Sequence, residues 1–165
     1  MPIMGISTSD LKNNGWNLVV ATGMTASSAA AAWGVGKLVS IFYNRVIPLT
    51  SNYSIAQKNS RHNQRNRARL LLGLTAGVGA AWYINSKISN SRYALITDPS
   101  LGKMFKLGVV QSVVGFLIDS VRGGKVPFVG VLGVGAAVAG HWSRYSYIGF
   151  GLLGAAAGIY HAQRA

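Results

Sequence analysis

The chain has 165 residues, room for one domain, and only 12% of them are charged while half are hydrophobic, against about 25% charged in soluble domains. Sixteen Lys and Arg face three acids, Asp10, Asp98 and Asp119, with no glutamate, so the net charge of +13 calls for anionic surroundings: lipid headgroups, nucleic acid or an acidic partner subunit. The absence of cysteine excludes disulfides, thiolate metal sites and cysteine nucleophiles, and glycines that lack a three-residue period exclude collagen.

Taken in chain order, the N-terminal "MPIMGISTSDLKNN" has neither a cationic n-region before a short apolar core nor an Arg-rich amphipathic character. The expectation is that the first membrane segment serves as its own signal. That segment, 16–43, exceeds the roughly 20 residues needed to cross a hydrocarbon core about 30 Å thick. A polar loop over 44–69 follows, with Pro48 and the basic run "RHNQRNRAR" at 61–69. The second apolar segment, 70–86, is at the short end of a spanning helix. A polar stretch with the turn signal "DPSLGK" leads to a third, 104–121. Its uncharged part, 107–118, has the length of a re-entrant or interfacial segment and reaches spanning length only if Lys103 and Lys106 snorkel at one end and Asp119 to Val121 count at the other. Two further segments, 126–143 and 145–163, are separated by Arg144 and must form a tight hairpin if both cross.

These runs are continuously apolar, without the alternation of a barrel, and helices satisfy their backbone within lipid. The predicted fold is all-α: a polytopic integral membrane protein, one membrane domain over 1–165, with four to five glycine- and alanine-rich helices and short basic loops. Five helices fit better than four. Trp16, Trp82 and Trp142 fall near proposed span ends, as do Tyr43, Tyr145, Tyr147 and Tyr160. Trp33 lies deeper and is expected to pack.

The 44–69 loop carries six positive charges, Arg45, Lys58, Arg61, Arg65, Arg67 and Arg69, and the five-helix arrangement places it inside and the N-terminus outside. Arg61, Arg65, Arg67 and Arg69 are read first as a topogenic anchor on anionic phospholipid and second as a dock for an acidic neighbouring subunit. Nucleic-acid contact ranks third, since the run lacks aromatic residues on which bases could stack.

Small residues supply the drive for packing in lipid. Gly73/Gly77 and Gly154/Gly158 form strict G-x-x-x-G pairs, and Gly133/Ala137 is a looser one. "GFGLLG", 149–154, formally matches a dinucleotide fingerprint, but no βαβ unit surrounds it, so it reads as a small-residue helix face. Asp119 is the one carboxylate inside an apolar segment. It is read as an interfacial residue beyond a helix end near Ile118, with Arg122 one turn away, or as an intramembrane ion pair with Lys37. Proton handling is the sharper alternative. His62, His141 and His161 cannot share a metal, and no nucleophile–base pair or cofactor site can be assembled. Neither an enzyme nor a metal or cofactor protein is expected.

The leading expectation is a non-catalytic accessory subunit of a larger membrane assembly, such as a respiratory-chain or other energy-transducing complex, with the mitochondrial inner membrane as the expected location. Its partners would be other membrane subunits and anionic phospholipids. The glycine-rich helices over about 16–143 also resemble the inner-membrane protein-import channel family, which includes an accessory subunit of respiratory complex I. That resemblance implies a channel or translocase element. The family's basic-then-acidic loop is not reproduced, because Asp119 precedes Arg122 and Lys125, and no site residues carry over. A third reading is a viral internal-membrane protein with its basic loops facing the genome.

Overall fold

The computed structural model describes residues 7–46, 54–96, 101–123 and 144–164. They form four helices, α1 (Thr8–Arg45), α2 (Ile55–Ile88), α3 (Leu101–Val121) and α4 (Ser146–Arg164), and among the described residues there is no strand. The protein is all-α. The sequence-predicted span 126–143 lies outside the described residues, and with it Gly133.

α1 starts at a capping box. The Ser7 hydroxyl accepts from the Asp10 amide at 3.2 Å, and the Asp10 carboxylate accepts from the Ser7 amide at 2.9 Å. Two otherwise unsatisfied amides are thereby satisfied. The helix runs 38 residues, about 57 Å at 1.5 Å per residue, and no proline interrupts it before Pro48.

α2 begins well before the apolar segment. Ser54 and Gln57 form a second capping box, with bonds of 3.2 and 2.9 Å. From there to Leu72 the sequence has neither glycine nor proline. The basic run is therefore not a loop, as the sequence reading had it, but the first half of a 34-residue helix continuous with the apolar half. Arg, Gln, Ala and Lys are good helix formers, and a charged sequence without breakers propagates from a cap as readily as an apolar one.

α1, α2 and α4 pack together as a three-helix bundle. α2 runs antiparallel to α1: Ser28 bonds Gly77 near the middle, and Ser40 meets Arg69 further along. α4 runs parallel to α1, with Gly154 beside Thr25 and Ser28, Gly158 beside Ala29, and Ala162 beside Gly36. One end of the bundle thus gathers the start of α1, the end of α2 and the start of α4. There Ala21, Met24, Leu95 and Phe150 form a small apolar core flanked by Ile84, Ile88 and Tyr147.

The short connection after α2 is clasped onto this end. The Asn17 side chain donates to the Ile96 carbonyl at 2.9 Å and accepts from the Ile96 amide at 2.8 Å. The Trp16 indole donates to the Ala94 carbonyl at 3.2 Å and stacks on Tyr93, ring centroids 6.2 Å apart. α3 is tied to the same end by Lys103, 3.4 Å from Asp10. Otherwise, among the described residues, it makes no extended packing with the other three helices. Its helix persists through Asp119 to Val121, past the end expected near Ile118, and closes with Gly123 at φ 66°, a left-handed conformation suited to glycine.

Candidate functional site: a glycine seam and an arginine ladder

The helix–helix contacts of the bundle are made largely by small residues. On α1 the buried face is Asn14, Asn17, Ala21, Met24, Thr25, Ser28, Ala32, Gly36 and Val39, a spacing of three and four that keeps them on one side of the helix. On α2 it is Arg69, Gly73, Gly77 and Ala81, again four apart.

Both strict glycine pairs lie in this seam. A Cβ on Gly73 would stand 2.6 Å from the Ile159 side chain, and one on Gly77 would stand 2.5 Å from the Ala155 Cβ. On α4, a Cβ at Gly154 would run into the Thr25 carbonyl and one at Gly158 into the Ala29 carbonyl. Gly151 is equally tight, 2.9 Å from the Val78 Cα. α4 thus faces α2 with Gly151 and Ala155 and faces α1 with Gly154 and Gly158. Gly151 lies within the 149–154 stretch that reads as a small-residue helix face, but it forms no strict G-x-x-x-G pair, since the residue four positions on is Ala155. Its signal was the combination with Gly154 and Gly158 on one helix. A Cβ at Gly23, Gly79 or Gly149 would meet nothing within 4 Å.

Hydroxyls in and around the seam are satisfied locally. Ser28 donates to the Gly77 carbonyl at 2.7 Å, a bond between helices, and Thr25 donates to Ala21 within α1 at 2.8 Å. On outer faces Thr22, Thr75 and Ser120 each donate to the carbonyl four residues back at 2.8 Å. This back-bonding satisfies these hydroxyl donors within their own helices.

Apart from Met24, Leu95, Phe150 and Ile159, most of the large apolar residues of the bundle lie outside. Leu38, Ile41 and Phe42 on α1, Leu70, Leu71, Leu72 and Trp82 on α2, and Ile148, Leu152 and Tyr160 on α4 are all exposed. Trp33, expected to pack inside, is 47% exposed with Lys37 Nζ 6.0 Å from its ring. An indole does not fit a seam whose neighbours are Ala29, Ala32 and Gly158. α3 repeats the pattern, exposing Val109, Val113, Phe116 and Leu117.

At the other end of the bundle, Arg61, Arg65 and Arg69 form a ladder of four-residue steps on the α2 face turned to α1. Arg69 is buried; its Nε donates to the Ser40 hydroxyl at 3.0 Å, its Nη2 donates to the same oxygen, and Ser40 donates onward to the Gly36 carbonyl at 2.9 Å. Burial foremost, and the neighbouring Arg65 charge next, pull the Arg69 guanidinium below its ordinary pKa. Arg61 lies 5.8 Å from the centre of the Tyr43 ring. Arg65 Nη2 is 2.9 Å from the His62 ring. Arg67, grouped with these three on sequence, is exposed on another side of the helix.

Asp119 is buried at 7% exposure in the last turn of α3, and Arg122 follows the helix end in an exposed turn. Lys37 is engaged with Trp33. The ion pair between described residues is Lys103–Asp10, which sequence reasoning missed; 93 positions separate its members and no local spacing marks them.

No family model, curated protein or solved structure matches the chain.

Proposed function

We propose that the chain is a polytopic integral membrane protein that serves as a non-catalytic structural subunit of a larger membrane assembly. One observation carries the reading: the residue distribution is inverted relative to a water-soluble bundle. Glycine, alanine, serine and threonine make up most of the helix–helix seam, with Met24, Phe150 and Ile159 among the few large apolar side chains inside it, while most leucine, isoleucine, phenylalanine and tryptophan face out. In water that arrangement forfeits the hydrophobic drive for folding. In lipid, where helix association rests on close backbone approach, it is the favourable one. Among the described residues α1 is the one helix long and apolar enough by itself to cross a bilayer.

The bundle's directions constrain the crossings. α1 and α4 run parallel with α2 antiparallel, so the chain between Ile88 and Ser146 starts and finishes at the same end. If the three bundle helices cross, that intervening stretch crosses an even number of times. The total is three or five, not four. α3, 21 residues long and lined with exposed Val, Phe and Leu, favours five. The arginine ladder and the end of α4 then share one side, and the Asn17 clasp lies on the other. The positive excess on the ladder side supports an inside location for it.

A subunit role follows from what the surface offers: apolar helix faces for lipid and neighbouring helices, and basic helix ends for anionic headgroups or acidic subunits. The test has two parts. Alkaline carbonate treatment of source membranes leaves an integral chain in the pellet; release into the supernatant contradicts the membrane reading. Native electrophoresis in mild detergent then shows co-migration with a stoichiometric assembly. A free monomer or homo-oligomer contradicts the subunit reading and directs attention to ion-flux assays on wild type and Asp119→Asn.

A further inference from the structure

We infer that Arg61 and Arg65, with Tyr43, form a binding site for the phosphate group of an anionic phospholipid at the end of α1; the inference rests on the membrane reading above. Three guanidiniums stand over about 12 Å of helix, and among the described residues no carboxylate stands beside them. Asp10 is held at the opposite end of the bundle by Ser7 and Lys103, and Asp119 belongs to α3, which does not pack on α2. Arg69 is satisfied by Ser40, and Arg65 meets the His62 ring through Nη2 only.

Arg61 Nη2 and Arg65 Nε are buried donors with no hydrogen-bond acceptor among the described residues. A buried donor on a charged group is expensive to leave unmade, and two of them one turn apart match a tetrahedral anion that accepts from more than one side. The α1 carbonyl terminus contributes a partial negative charge nearby, but a dipole does not bond these two atoms. The ligand is assigned to lipid by position. Immediately after Arg69 come Leu70, Leu71 and Leu72, all exposed, and Phe42 and Val46 are exposed beside Tyr43 on α1. A phosphate at Arg61 and Arg65 therefore sits at headgroup level, with apolar surface below it for acyl chains. Arg67, on another side of the same helix turn, has the same charge without the buried donors, which makes it the internal control.

The experiment uses the full chain in mild detergent, with lipid retention read by native mass spectrometry for phosphatidylglycerol against phosphatidylcholine. The wild type retains phosphatidylglycerol about tenfold more strongly, the scale of one or two cation–phosphate contacts at a lipid surface. R61K/R65K keeps the net charge and loses the planar fork, so its preference falls to about twofold or less, while R67K keeps the wild-type ratio. Circular dichroism confirms that both variants remain helical. Equal retention of the two lipids by wild type, or an unchanged ratio in R61K/R65K, overturns the site. Displacement of phosphatidylglycerol by millimolar inorganic phosphate reassigns the site to a free anion and overturns the lipid assignment. Failure of the membrane reading is seen separately, as release by carbonate, and leaves the retention ratio interpretable.

Discussion

α3 and α4 are similar in length, 21 and 19 residues, and both are apolar and contain glycine. α4 is enclosed by α1 and α2, whereas α3 is tied to them through Lys103 and Asp10 at one end. Overall hydrophobicity does not separate the two. Register does: Gly151, Gly154, Ala155 and Gly158 give α4 a continuous strip on which two backbones can lie, and α3 offers no such strip to the described helices. On the proposed membrane reading, where the solvent does not reward burial of leucine, the position of missing side chains decides which helices meet.

The largest expected effect tests that strip directly. Gly158→Leu forces a side chain into the Ala29 carbonyl, backbone that cannot swing aside, and should destabilise the bundle by at least about 3 kcal/mol. Gly102→Leu on α3, where nothing lies within 4 Å, should change stability by less than about 1 kcal/mol. Denaturant titration in detergent, followed by circular dichroism, measures both. Equal losses would erase the distinction between the helices.

Asn17→Ala comes next. It removes both bonds to Ile96 and should cost about 2 kcal/mol, while raising amide exchange over 91–96 and leaving the seam protected. Ser28→Ala removes one interhelical bond to Gly77 and should cost about 1 kcal/mol or less, the scale of such bonds between membrane helices.

The smallest effect concerns the α3 tether. The Ser7 backbone amide first, the Ser7 hydroxyl second, and more weakly Lys103 hold Asp10 below its ordinary pKa of 3.8 despite an opposing desolvation. Its folded value is depressed, so its contribution is present above about pH 3.8 and is lost as pH falls through the folded value. Acid titration should loosen the start of α1 and of α3 by amide exchange before the seam responds, and Asp10→Asn should abolish that step.

Much of this organisation could be read from residues alone. The run from Trp16 to Tyr43, the two strict glycine pairs and the Gly/Ala content of 145–163 all mark helices and their contact faces. The basic run was harder, because polarity was taken as a loop signal; the informative feature was the Ser54–Gln57 cap followed by 15 residues without a breaker. The arginine ladder follows once that stretch is a helix, since positions 61, 65 and 69 share a face and 67 does not. The clasp and the Lys103–Asp10 pair were not legible. They join residues nearly 80 or more positions apart, and their partners are backbone groups or a lone acid that carry no pattern.

The central claim is that α1, α2 and α4 cross a membrane as one small-residue bundle, with α2 opposed to the other two. The cysteine-free chain allows a direct measurement: single cysteines at the exposed positions Asn13, Ser91, Asn63 and Gln163, labelled in source membranes with an impermeant maleimide. The account predicts that 13 and 91 label from one face and that 63 and 163 label from the other. Labelling of all four from the same face, or of 63 and 163 from opposite faces, would contradict it.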